Sequence, residues 1–210
     1  MKLYDFKMAP NPRRVRVFAA EKGIDIPKVE VDLGNRSQLN SDYVAKTTLA
    51  EVPALELDDG TVITESTAIC AYLEGLQPEP ALMGTTPLEK AQIVMWDRRV
   101  ELHGLQAVAE AFRNGNAFFK DRGLAGPIDY AQIPELAERG KVRFLAFLDQ
   151  LDRRLADAPY LAGDGFSIAD ITAMIVCDFA KVIKQGPPFD GRPNLQAWYE
   201  RVSARPSAKA

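Results

Sequence analysis

At 210 residues, with 47% hydrophobic and 26% charged side chains, the chain has the make-up of a soluble globular protein able to bury a sizeable core. Its formal charge of −3 falls within residues 1–77, with 9 Lys and Arg against 12 Asp and Glu, while residues 78–210 carry 17 of each, so neither half offers a nucleic-acid surface. No apolar run reaches the length of a membrane span and no signal-peptide pattern is present, so a cytosolic location is expected.

The first 77 residues alternate strand and helix signals. "KLYDF" predicts a strand with Tyr4 in the core, and Val15, Phe18 and Ala19 then mark a helical stripe that stops at Gly23. On that helix Arg13, Arg14 and Arg16 read as a solvated face near an anion. "KVEVDL" has the two-residue period of a strand, with Val29, Val31 and Leu33 on one face. A short polar helix is expected over residues 37 to 46. "PALELDDGTVIT" predicts two strands joined at Asp59-Gly60, a hairpin-turn dipeptide, and "ESTAICAYLEGL" a helix carrying Ile69, Tyr72, Leu73 and Leu76. The order is β-α-β-α-β-β-α, a small layered α/β unit.

After the Pro-rich "LQPEPALMGTTP" the remainder reads as helix. Thr86, Pro87 and Glu89 form a start signal: a hydroxyl cap, a proline whose missing N–H is no loss, and an acid three residues after the cap. "VRFLAFLDQLDRRL" places Phe144, Phe147, Leu148, Leu151 and Leu155 on one face. "SIADITAMIVCDFA" is apolar nearly all round and predicts a central buried helix, capped by Ser167 with Asp170 at its third position. A last helix carries Leu195, Trp198 and Val202. Cys70 and Cys177 lie far apart in apolar periodic segments, which suits buried thiols. His103 is the only histidine, which leaves little for a metal site, and none is expected.

Three stretches in this order, "EVPALELDDGTVITESTAI", "LAGDGFSIADITA" and "WYERVSARP", resemble the cytosolic glutathione transferase family over essentially the whole chain. The resemblance implies a thioredoxin-like α/β N-terminal domain, residues 1–77, and an all-α C-terminal domain, residues 86–210. It implies glutathione as co-substrate, a small electrophile or disulfide as second substrate, and a homodimer, with Asp97 and Glu101 as acids that reach toward a partner. A non-catalytic interaction protein on the same fold is the alternative.

The same resemblance assigns residues. Pro53 corresponds to a cis proline that turns the Val52 backbone outward to pair with the cysteinyl part of glutathione. Glu65 and Ser66 take the γ-glutamyl end: Glu65 accepts from the ammonium, and Ser66, as a helix cap, lies among N–H groups suited to a carboxylate. Gln38, with Lys46 nearby, is the expected donor to the glycine carboxylate, and Glu51 is expected to face solvent. Arg99, His103 and Phe112 are candidates to line the second-substrate site. Where other members carry Tyr, Ser or Cys near the first strand-to-helix turn, "MAPNPRRVRVF" offers Ala9 and Asn11. It most resembles bacterial Nu-type or theta-like members, and implies that the Asn11 amide, with the backbone N–H groups of Asn11 and Arg13, stabilises the glutathione thiolate.

Overall fold

A computed structural model describes residues 1–184 and 189–210. They group into two units: Met1–Pro80 with Ala125–Ile128 and Lys209–Ala210, and Ala81–Leu124 with Asp129–Ala208.

In the first unit the elements follow the expected order: β1 (Lys2–Asp5), α1 (Pro10–Glu21), β2 (Lys28–Glu30), α2 (Ser41–Thr47), β3 (Ala54–Glu56), β4 (Val62–Thr64) and α3 (Ser66–Leu76). The sheet order is β2-β1-β3-β4, with β1 parallel to β2 and antiparallel to β3, and β3 antiparallel to β4. The β3–β4 hairpin turns at Gly60, whose φ of +87° suits a residue without Cβ. Side chains alternate across the sheet. Leu3 pairs with Leu55 and Tyr4 with Ala54; Tyr4 and Ala54 share a cluster with Val31, Tyr43 and Val52, while α1 packs against α3 through buried Val15, Phe18, Ile69 and Leu73.

Three expectations for this unit change. The strand in "KVEVDL" ends at Glu30, because Asp32 Oδ1 accepts from the N–H of Gly34 at 2.8 Å and folds the chain into a turn; Val29 is exposed, though Val31 is buried. The segment 37–46 is divided: a 3₁₀ turn, Ser37–Leu39, precedes α2, which Asn40 caps by accepting from the Asp42 N–H at 2.9 Å. Arg14 and Arg16 are buried at 1% and 8% exposure, not solvated. Arg16 pairs with Asp5 and donates to the Lys7 carbonyl at 2.9 Å, so the charge is compensated inside.

The second unit is helical: α4 (Pro87–Arg99), α5 (Gln106–Gly115), α6 (Pro134–Asp157), α7 (Ile168–Phe179) and α8 (Pro193–Ser203). Thr86 and Glu89 form the expected capping box. Between α4 and α5 the helix continues through a π-helical stretch, Val100–Leu105, where the Gln106 N–H reaches back five residues to the Glu101 carbonyl. Helix α6 buries all five residues of its predicted stripe, and α7 is buried from Ile168 through Cys177. Asp170 accepts from the N–H of Leu161, the N–H and hydroxyl of Ser167, and the Trp198 indole, at 2.9 to 3.1 Å. Burial pushes its carboxyl above the ordinary value while these bonds oppose the shift. This one carboxylate therefore ties α7 to α8 and to the segment before it.

Asp97 does not face outward. It is 2% exposed and accepts from the Thr172 hydroxyl at 2.6 Å, joining α4 to α7, so it is no candidate to reach a partner; Glu101 pairs with Arg98. No helix of the described residues is long and apolar enough to cross a membrane.

Candidate active site

The first unit holds a small concavity built by three connections. Asn11 comes from the start of α1; Thr47, Leu49, Glu51 and the Val52–Pro53 pair come from the α2–β3 connection; Thr64, Glu65 and Ser66 come from the β4–α3 junction. Of the expected residues, Asn11, Val52, Pro53, Glu65 and Ser66 are thus brought together.

Asn11 is the second residue of α1, between two prolines. Pro10 and Pro12 have no N–H, the Ala9 N–H goes to the Phe6 carbonyl at 2.9 Å, and the Arg13 N–H goes to the Ala9 carbonyl at 3.3 Å. The helix start is therefore reduced to one unpaired N–H, that of Asn11, and the expected donation by Arg13 is corrected. The Asn11 Oδ1 is buried without a hydrogen-bond partner among the described residues. A buried amide oxygen left unpaired costs about 1–3 kcal/mol, which marks this side chain as poised for something the chain itself does not supply.

The Val52–Pro53 bond is cis. Because the β3 ladder begins at Ala54, the N–H and C=O of Val52 lie outside it. The connection that carries them is held by Tyr43, whose hydroxyl donates to the Glu51 carbonyl at 2.7 Å, and by Thr47, whose hydroxyl donates to the Tyr43 carbonyl at 3.0 Å. Burial, then the neighbouring Tyr4 and Glu51, push the Tyr43 hydroxyl well above its ordinary value, so it stays protonated and donating. Glu51 is half-buried and lines the concavity, correcting the expectation that it faces solvent.

Ser66 does not cap α3; it is the first helical residue. The cap position belongs to Glu65, at φ 65° and ψ 117°, with no side-chain bond to the helix. A non-glycine residue at positive φ costs about 1–3 kcal/mol, and such strain collects at functional sites. The Ser66 hydroxyl oxygen accepts instead from Arg14 Nη1 at 3.1 Å, and the same nitrogen donates to the Thr67 hydroxyl at 3.0 Å. The N–H groups of Ser66, Thr67 and Ala68 precede the first intrahelical bond, made by Ile69 to the Glu65 carbonyl at 3.0 Å, and give this end a positive potential.

The other candidates lie elsewhere. Lys46 donates to Glu56 at 2.6 Å and to the Tyr4 hydroxyl at 3.2 Å, outside the concavity; the bond to Glu56 raises its pKa and holds Glu56 at about 2. Gln38, in the 3₁₀ turn, does not line the concavity, and its Oε1 is buried without a partner among the described residues. In the second unit the Arg99 guanidinium stacks 4.9 Å from the Trp96 ring, His103 stands exposed on the π-helical stretch with Phe147 at 6.0 Å, and Phe112 packs edge-on with Phe119 and Phe179.

Two residues of this arrangement, Arg14 and Tyr43, were not singled out by their sequence context as parts of it. Arg14 carried a signal: it stands one turn before Phe18, on the buried stripe of α1, where a charge needs internal partners.

Comparison with known proteins agrees with this architecture. The model of the glutathione S-transferase N-terminal domain matches residues 3–81, and that of the C-terminal domain matches residues 134–201. The chain is 37% identical to Glutathione S-transferase 2 of Saccharomyces cerevisiae, over 100% of this chain and 88% of that protein. The crystal structure of Gtt2 from Saccharomyces cerevisiae superposes with a TM-score of 0.91 at 37% identity, covering 100% of this chain and 99% of the other. A class Gtt2 glutathione S-transferase of Vibrio parahaemolyticus gives 0.85 at 38% identity, covering 100% and 96%. With both domains matched in order and these likenesses running the length of the chain, the protein belongs to the glutathione S-transferase family.

Proposed function

We propose that this glutathione-dependent transferase binds its tripeptide in the concavity of the first unit and holds the thiolate against Asn11. The observation that carries the reading is the gathering of an unpaired amide, an unladdered Val52 backbone and a positive helix start in one small space. The γ-glutamyl carboxylate meets the first N–H groups of α3 and the Ser66 hydroxyl, while Glu65 accepts from the ammonium. The cysteinyl main chain pairs with the N–H and C=O of Val52 as a short added strand.

The nucleophile is the bound thiol, so the protein needs no nucleophile of its own. Its task is to favour thiolate over thiol. The Asn11 side chain carries two N–H donors and cannot ionise, and its backbone N–H adds the positive end of α1. The branch of the family is read from this amide: Nu-type or theta-like, since Ala9 supplies no hydroxyl. For the glycine carboxylate Gln38 is the better donor, because the Lys46 ammonium is engaged by Glu56 at 2.6 Å and Glu51 repels a carboxylate.

The thiolate is directed at a small electrophile or a small disulfide; both begin with the same attack. The cytosol suits two unbridged, buried thiols. A homodimer is supported by the exposed apolar residues Leu88, Val94 and Met95 on α4.

Calorimetry of glutathione binding to wild type and Glu65→Ala tests the site. The variant is expected to bind at least several-fold more weakly while unfolding at the same temperature. Unchanged affinity removes the main support for this placement. Sedimentation at micromolar concentration tests the dimer.

A further inference from the structure

We infer that Arg14 is a positioning residue that fixes the direction of the Ser66 hydroxyl and sets a buried positive charge behind the ligand's γ-glutamyl carboxylate. This rests on the proposed placement of glutathione and adds a residue to it that lies outside the concavity.

A serine hydroxyl has one proton and two lone pairs. Arg14 Nη1 lies 3.1 Å from the Ser66 oxygen, and a guanidinium only donates, so Ser66 accepts there and its own proton must point elsewhere. Ser66 is a lining residue, so the direction left to that proton includes the concavity. The same nitrogen donates to the Thr67 hydroxyl at 3.0 Å, which fixes the guanidinium against the first turn of α3 from behind. At 1% exposure the charge is poorly screened by water, and it adds to the helix-start potential that an anion meets in front. Arg14 thus makes Ser66 a committed donor rather than a group that can turn either way.

The test compares glutathione with an analogue whose γ-glutamyl α-carboxylate is a carboxamide, in wild type, Ser66→Ala, Arg14→Met, Arg14→Gln and Arg14→Lys, each first shown folded by a thermal melt. Arg14→Met is expected to raise the glutathione KM by about tenfold with kcat little changed, and to lose most of the preference for carboxylate over carboxamide. Arg14→Gln, which keeps a polar group should the Met variant not fold, is expected to lose the preference too, and Arg14→Lys to keep most of it. The double variant Ser66→Ala/Arg14→Met is expected to lose less than the two single losses combined. A purely structural role would weaken both ligands equally. If Ser66→Ala loses the preference while folded Arg14→Met and Arg14→Gln keep it, the role of Arg14 is overturned and the site stands. Should Ser66→Ala itself keep the wild-type preference, the placement of the carboxylate is what fails.

Discussion

The hydroxyl of Tyr43 donates to the carbonyl of Glu51 at 2.7 Å, and through that bond α2 holds the stretch leading into Val52 and Pro53. Thr48 and Ala50, at φ 62° and 53°, give this stretch an unfavourable backbone that needs outside restraint. Tyr43→Phe keeps the ring edge-on to Tyr4 but removes the tether. It is expected to lower stability by about 1 kcal/mol and raise the glutathione KM several-fold with kcat nearly unchanged. A urea melt and steady-state kinetics check this; an unaltered KM removes the tether from the account of binding.

Asn11 carries the chemistry in the proposed site. Asn11→Ala is expected to raise the pKa of bound glutathione thiol by about a unit, worth about 1.4 kcal/mol, and to slow turnover with little change in affinity. Asn11→Asp faces the thiolate with a carboxylate and is expected to be slower still. Thiolate absorbance against pH reads this directly. Three identical titrations would leave Asn11 as a turn residue.

Gly140 marks the closest approach of α6 to α5. A Cβ there would lie 2.5 Å from the Ala107 carbonyl oxygen and 2.9 Å from the Ala111 nitrogen, both backbone. Alanine gains up to about 1 kcal/mol of helix propensity, but separating the two backbones costs about 1–3 kcal/mol or more. Gly140→Ala is expected to lower the melting temperature by several degrees. An unchanged melt would mean that the helices separate without loss.

Stability in acid should depend on Glu89. Its bonds from the Thr85 hydroxyl and the N–H groups of Thr86 and Thr85 hold it at about 2, below the ordinary 4.5. A depressed folded-state pKa gives stability that is present above about 4.5 and lost as pH falls toward 2. Asp170, raised by burial, has the opposite sign and contributes nothing to that loss. The stability difference between wild type and Glu89→Gln is therefore expected to shrink between pH 5 and pH 2, in denaturant melts across that range.

Neither cysteine should compete with bound glutathione. Burial pushes the Cys177 thiol up to about 12, and Cys70 is fully buried. An aromatic disulfide reagent at pH 8 is expected to modify neither thiol in the native protein and both in denaturant. Fast native labelling would show that α3 or α7 opens locally.

What could be read from the sequence was local. The box at Thr86 and Glu89, the turn at Asp59-Gly60 and the stripe of α6 each depend on residues within a few positions, and each formed. The polar partners were hidden, because nothing in local spacing pairs Arg14 with Ser66, 52 residues away, or Asp97 with Thr172, 75 residues away. Those bonds decided which charges went inside. At the site itself, Asn11, Val52 and Glu65 were legible through family likeness, whereas the loss of the Arg13 N–H to Ala9 needed coordinates.

The π-helical stretch at Val100–Leu105 acts as a phase setting for everything that follows it. Each residue of an α-helix advances the face by about 100°, so a one-residue deletion there, by restoring ordinary winding, would turn the whole of α5 by about that angle. Ala107 and Ala111, now against Gly140, would rotate away and bulkier side chains would meet α6. Aligning this stretch without a gap to a relative that lacks the extra residue would misassign every inward position of α5.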